Sequence, residues 1–376
     1  MAAIYLHIPF CKSRCIYCDF YSGTDVSLRA LYVQALCDEL SLRASYLSTN
    51  VLDSVYFGGG TPSLLQAAEF EIIFAHIANY FTFSPSVEIT LECNPDDLTE
   101  DYLSVVSQFP FNRISIGIQS FDDAELHFLN RRHSAQQAKE AVALCKMRGF
   151  DSISIDLMYG LPNQTLETWE QTLAVAMDLG IQHLSAYSLM YEEGSPLTRL
   201  LRAQKITEMD EATNVALFEK LIDTLHAHGF EQYEISNFCR PDFHSRHNMS
   251  YWQGDSYLGI GAAAHSFDGV SRQWNVANTT RYMEGVAAKN LIVEREELTF
   301  DERYNEFIFT ALRTRKGIDL ELLERRFGAD RFAYCLQTAQ PYVACGKVEL
   351  SNGFLSLTRA GIFVSDGVMS DLCYVN

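Results

Sequence analysis

Apolar runs rich in β-branched residues recur along the first half of the chain, at 4–8, 52–57, 87–92, 113–119, 152–158 and 183–189. Segments with helical spacing separate them, at 28–46, 64–80, 99–108, 134–148 and 165–179. Ser134 with Gln137 three residues on reads as a capping box, and Gly149 and Gly180 stand where two of these helices should stop. Strands alternating with helices imply parallel βα units with right-handed crossovers. The strand runs look nearly all apolar, as expected when helices cover a sheet. Six units fall short of eight, so the pattern predicts an α/β fold, an open partial (β/α)6 barrel of the TIM type.

In such barrels the working residues gather at the C-terminal ends of the strands. The first end carries Cys11, Cys15 and Cys18, spaced C-x3-C-x2-C in LHIPFCKSRCIYCDF. The next two carry Gly58-Gly59-Gly60-Thr61-Pro62 and Glu92-Cys93-Asn94-Pro95. Gln119 follows the fourth strand, and Asp156 and Tyr187 lie late in the fifth and sixth. Three thiolates from one loop suit an iron–sulfur cluster with one iron left open to a small molecule. Structural zinc would want a second Cys/His pair, and none is visible in the sequence. Taken singly the other residues are ordinary: a triple glycine is a turn, Asn94-Pro95 is turn chemistry, and Arg131 is a helix-end charge. Gln119 and Asp156 are costly to bury without partners, which favours a site over a core pair.

Composition narrows the partners. The 376 residues include 29 Lys and Arg against 48 Asp and Glu, a formal charge of −19, so a nucleic-acid surface is disfavoured. No apolar run approaches the ~18 residues of a membrane span. The start, MAAIYLHIPF, lacks the features of a secretory signal, and ten mostly scattered cysteines suit a reducing, cytoplasmic compartment rather than a disulfide framework.

The C-x3-C-x2-C loop, GGGTP and the six βα units resemble the radical S-adenosylmethionine (SAM) superfamily. YLHIPFCKSRCIYCDFYS, FGGGTPSLL, RISIGIQSF and IDLMYGLP are similar to one branch of it. That branch holds the oxygen-independent coproporphyrinogen III dehydrogenases and the HemW-like heme chaperones, and the resemblance runs from Tyr5 to the C-terminus. It implies that Cys11, Cys15 and Cys18 bind a [4Fe–4S] cluster whose open iron takes the amino and carboxylate groups of SAM. It implies SAM contacts at Tyr5, Gly59, Gly60, Thr61 and Glu92. Gln119, Arg131 and Asp156 match positions that bind a second SAM in the dehydrogenase.

Two departures separate the chain from the dehydrogenase. The cysteine motif of that enzyme continues to a fourth cysteine, where this chain has Phe20, and its extended segment before the first cysteine has no counterpart ahead of Cys11. Residues 247–252 read HNMSYW, the HNxxYW pattern of the HemW-like members. The resemblance makes His247 a candidate heme ligand, with Tyr251 and Trp252 as a flat surface and Arg246 toward a propionate. The ordinary reading is a hydrogen-bonded histidine beside core aromatics. His265, in GIGAAAHSF, is a second candidate. The function implied is a heme chaperone that passes heme to acceptor hemoproteins, membrane-bound ones included. The alternative is a radical enzyme, acting on coproporphyrinogen III or an unknown substrate through a 5′-deoxyadenosyl radical. Enzymatic turnover and the choice between monomer and homodimer stay open at this level.

Beyond about residue 290 the pattern changes. Amphipathic helices are expected at 301–313 and 320–327, with breaks at Gly317 and Gly328. A hairpin is expected around Ser351-Asn352-Gly353, and a final helix opens at Thr358. The expected organisation is a barrel over 1–237, a bridging segment over 238–290 placing His247 near the barrel opening, and a small winged-helix-like α+β domain over 291–376.

Overall fold

The computed structural model describes residues 2–375. Six βα units open the chain. They comprise β1 (Ala2–Ile8), α1 (Arg29–Leu42), β2 (Val51–Gly59), α2 (Ala67–Tyr80), β3 (Thr82–Cys93) and α3 (Glu100–Val106). They continue through β4 (Arg113–Gln119), α4 (Asp123–Phe128), α5 (Ala135–Met147), β5 (Ser152–Tyr159), α6 (Leu166–Asp178) and β6 (His183–Ser188). Strands β1 to β6 pair in parallel and in sequential order, the winding of a (β/α) barrel left open after six strands. Capping boxes at Ser134/Gln137 and Thr165/Thr168 start α5 and α6, and Gly149 ends α5 in a left-handed turn at φ +82°.

The expectation of nearly all-apolar strands is corrected. The strands alternate with period two. Ile114, Ile116, Ile118, Ile153, Ile155 and Leu157 are fully buried, while Arg113, Ser115, Gly117, Ser154 and Asp156 line a cavity on the concave face. A closed eight-stranded barrel fills its lumen with side chains. This one is open, so its inner face is free to carry polar groups.

The chain continues through α7 (Pro196–Arg202), α8 (Glu211–Ala227), β7 (Glu231–Glu234), β8 (Asn237–Cys239) and α9 (Arg246–Trp252). Then come β9 (Ser256–Ile260), β10 (His265–Phe267), β11 (Ser271–Asn275), α10 (Thr279–Ala287) and β12 (Val293–Glu297). These strands extend both edges of the sheet. β8 and β7 add antiparallel strands beyond β6, and β9 joins β1 in parallel before β10–β12 turn antiparallel. A buried cluster fastens β9–β11 to α1. Glu39 accepts from Arg43 (3.1 Å), Asn275 (2.8 Å), the Tyr282 hydroxyl (2.7 Å) and the Gly261 N–H (2.9 Å). With four donors on one carboxylate, burying its charge is offset.

The last part has its own core, in which Tyr304, Ile308, Leu323, Cys335 and Val368 are buried together. It consists of α11 (Phe300–Arg313), β13 (Ile318–Asp319), α12 (Leu320–Ala344), β14 (Val348–Ser351), β15 (Phe354–Leu357), α13 (Arg359–Ile362) and α14 (Ser365–Leu372). Gly328 leaves helical geometry (φ 77°, ψ 172°), so α12 is two helices in succession, broken where the sequence places a stop. The final helix is likewise interrupted, at Val364. No helix among the described residues is long and apolar enough to cross a membrane.

Candidate functional site

The cysteine loop is fastened from several sides. The Cys11 N–H donates to the Gly23 carbonyl (2.9 Å), and the Ile16 carbonyl accepts from the Leu197 N–H (3.0 Å). Asn130 donates to the Arg14 carbonyl (2.7 Å), and Lys12 pairs with Asp97 (2.6 Å). Ile16 and Tyr17 pack on a small core of Leu129, Met158, Leu161, Leu189 and Leu197. Cys11, Cys15 and Cys18 all face one cavity of about 540 Å³ at the C-terminal mouth of the barrel, and all three are free thiols. Thr61 Oγ1 lies 3.5 Å from Cys11 Sγ and Arg131 Nη1 3.2 Å from Cys15 Sγ, polar partners for two sulfurs. Cys93 also lines the cavity, but its thiol is directed to the Leu91 carbonyl (3.8 Å). Among the described residues no three Cys, His, Asp or Glu side chains are drawn together on a single ion. Three thiols from one loop, with polar partners for two of them, fit the three-cysteine donor set of a [4Fe–4S] cluster.

Tyr5, Gly59, Gly60, Thr61, Glu92, Gln119, Arg131 and Asp156 all line this same cavity, with His247 on its wall, whereas Gly58 and Pro95 do not reach it. Glu92 accepts from the Tyr56 hydroxyl (2.7 Å) and the Gly59 N–H (3.1 Å). Burial pushes its carboxyl up to about 7, against the pull of the Tyr56 hydrogen bond. Burial likewise raises Asp156 to about 6, opposed by the Ser185 hydroxyl and the charges of Arg113 and Arg131. Gly59 sits at φ +107°, and a Cβ there would lie 2.6 Å from the His7 ring. At Gly60 a Cβ would meet the carbonyls of Ile8 and Phe10 at 2.9 Å. Both glycines therefore keep backbone close to the cavity where side chains would not fit. Gln119 holds φ 76° at a bulge between β4 and β5, a strained geometry for a non-glycine residue. Arg131 is no solvated charge. It bonds Asn94 Oδ1 (2.6 Å) and the Gly117 carbonyl, and so ties the cysteine loop to β3 and β4.

His247 lies on the wall of that cavity, but it is buried. The Glu88 carboxylate accepts from the Ser245 hydroxyl (3.2 Å) and from the N–H groups of Arg246 (3.1 Å) and His247 (3.0 Å), which fixes the start of α9 against the inner face of the barrel. The His247 imidazole is 1% exposed. Nδ1 is bonded to Ser54 Oγ (2.9 Å) and Nε2 to Tyr251 Oη (2.8 Å), and the ring stacks on Tyr56 at 4.8 Å. Burial depresses its pKa to about 3, so it is neutral. Arg246 points elsewhere, to the carbonyl and hydroxyl of Ser86 (2.8 and 2.7 Å).

A second cavity, of about 930 Å³, lies between the barrel mouth and the C-terminal part. Tyr5, Asp19, Phe20 and Tyr251 line both cavities, so the two share a wall. Phe20, at the position of the absent fourth cysteine, is 62% exposed on that wall. Trp252 and His265 line the second cavity only. The inward-facing Tyr56, Arg113, His183 and Ser185 escaped the reading of the sequence. The alternation in RISIGIQ and HLSAYS was the signal for Arg113, His183 and Ser185.

The model described as "Radical SAM superfamily" matches residues 5–176, and the "HemN C-terminal domain" model matches 298–364. "Heme chaperone HemW" of Mycobacterium tuberculosis (strain H37Rv) is 33% identical, covering 98% of this chain and 94% of the relative. Its namesake in Bacillus subtilis is 30% identical, with 98% of each covered. The solved structure of "Coproporphyrinogen III oxidase (HemN) from Escherichia coli" shares the fold with TM-score 0.85 at 23% identity, covering 99% of this chain and 90% of that one. With its three-cysteine loop, its six parallel strands and relatives aligned along almost its whole length, this chain belongs to the HemW-like family of the radical SAM superfamily.

Proposed function

We propose that this chain is a cytoplasmic heme chaperone. It holds a [4Fe–4S] cluster and SAM in the barrel cavity, binds heme beside them, and delivers heme to acceptor hemoproteins, membrane-bound ones included. It does not oxidise coproporphyrinogen III. The observation that carries this reading is the shared wall: a cavity large enough for a cofactor adjoins the cysteine site across Tyr5, Asp19, Phe20 and Tyr251. The HemW name of its relatives supports the same cargo.

In this reading Cys11, Cys15 and Cys18 hold the cluster, whose open iron anchors the amino and carboxylate groups of SAM. The chain's own groups do the rest. Gly59 and Gly60 admit the ligand close to backbone, and Glu92, held by Tyr56 and Gly59, accepts hydrogen bonds from a ribose diol. Arg131 braces the cysteine loop. Phe20 closes the place of a fourth thiol with an apolar ring and leaves a wall between the two ligands. The test is transfer. Heme-loaded protein mixed with an apo-hemoprotein should convert the acceptor to its holo spectrum faster than free heme does. Transfer no faster than free heme would reject the delivery role.

A second reading, a radical enzyme, draws on the polar lumen, where Glu92 and Asp156 are held near 7 and 6 and could exchange protons with a substrate. Release of 5′-deoxyadenosine that depends on an added substrate would favour it.

A further inference from the structure

We infer that heme occupies the cavity between the barrel mouth and the C-terminal part, with His265 as its iron ligand, and that His247 acts as a positioning residue behind the cavity wall. The inference rests on the heme-binding reading above and assigns its site.

The histidines decide the ligand. Two line the second cavity, His7 and His265. The His7 ring is engaged at both nitrogens, by Tyr5 Oη (3.1 Å) and the Tyr21 carbonyl (2.8 Å), and it is buried. His247 does not line this cavity, and both of its nitrogens are also engaged. His265 is different. It stands exposed on β10, its ring stacked on Trp274 at 5.8 Å, and among the described residues neither of its nitrogens is held by a protein partner. Burial and the charge of Arg272 lower its pKa, which favours the neutral imidazole that iron requires.

The walls decide the cargo. Phe20, Trp252, Phe267 and Phe307 supply aromatic faces for a flat macrocycle. Three guanidinium groups, of Arg272, Arg303 and Arg326, face two carboxylates, of Asp19 and Glu306. Arg272 is paired with Glu306 (2.7 Å), whereas Arg303 and Arg326 are in no ion pair among the described residues. In a chain of net charge −19, two unpaired arginines around an aromatic cavity fit a ligand that is apolar in the middle and dianionic at one edge. Heme has that form, with its two propionates. The HNxxYW segment then acts through its aromatics. His247 holds the Tyr251 hydroxyl, and Tyr251 and Trp252 form wall.

The experiment is a ferric heme titration of full-length, cluster-loaded protein, read at the Soret band and by resonance Raman. Wild type should show a histidine-ligated spectrum. His265→Ala should lose that spectrum and bind at least tenfold more weakly, and free imidazole should restore the spectrum, which only a folded cavity permits. Arg303→Glu with Arg326→Glu should weaken binding at least fivefold with the ligation spectrum intact. His247→Ala should keep the histidine-ligated spectrum. If wild type binds heme and His265→Ala retains its spectrum and affinity, or if His247→Ala alone abolishes the signature, the assignment is wrong. If wild type itself binds no heme, the underlying functional reading falls with it.

Discussion

The Tyr251 hydroxyl and His247 Nε2 lie 2.8 Å apart, and this bond ties a residue facing both cavities to an imidazole buried inside the barrel. Tyr251→Phe would leave Nε2 of the buried His247 without its partner. The expected cost is about 1–3 kcal/mol, measured as a lower urea midpoint with unchanged slope. A wild-type midpoint would mean that the bond contributes nothing to the fold.

Stability should fall on mild acidification. His133 and His247 are pushed down to about 3 by burial, and His183 is lowered well below its ordinary value for the same reason. Below pH 6.5 the unfolded chain takes up protons at these three positions while the folded chain does not, so stability drops as pH falls from 6.5 toward 3. His133 and His247 each contribute a slope of about 1.4 kcal/mol per pH unit within that window, and His183 adds in the same direction. Chemical denaturation at pH 5.5 and 7.0 should show the loss, and His247→Phe should reduce the slope by one proton.

SAM binding should respond to pH in the opposite region. Glu92 is held at about 7, so at pH 6 it is mostly protonated and a poor acceptor for a ribose diol. Affinity for SAM should rise several-fold from pH 6 to 8, and Glu92→Gln should bind weakly at both. A flat calorimetric profile for wild type would exclude Glu92 from the SAM contact.

Glu39→Ala should be among the more damaging substitutions far from the cysteines. It removes the acceptor shared by Arg43, Asn275, Tyr282 and the Gly261 N–H and leaves a buried guanidinium. A loss of about 3–5 kcal/mol is expected by denaturation. Because β9–β11 carry His265 and Arg272, heme affinity should weaken as well.

Much of the fold was legible because the first six strands and their helices are specified locally. Each strand is bounded by caps, glycines and turns, and the break at Gly328 and the hairpin at Asn352-Gly353 could be placed from neighbours alone. The strand-end residues came together because sequential parallel winding puts every C-terminal end on one side. What escaped depends on distant partners. β9 is five residues long and joins β1 across more than 240 residues of chain. The burial of His247 follows from Glu88 of β3, which no reading of 245–252 contains. Arg303 and Arg326 reach the cavity from the C-terminal part, so nothing near the HNxxYW segment announces them.

In the proposed arrangement a three-cysteine cluster site and a heme cavity share a wall in one chain. Heme titration with iron and sulfide content recorded on the same anaerobically reconstituted sample tests it directly. One saturable heme per chain is expected, with a Soret band that persists at full cluster occupancy, and loss of the cluster EPR signal in Cys15→Ser. No saturable Soret change in cluster-replete protein, or heme that binds only by displacing the cluster, would contradict it.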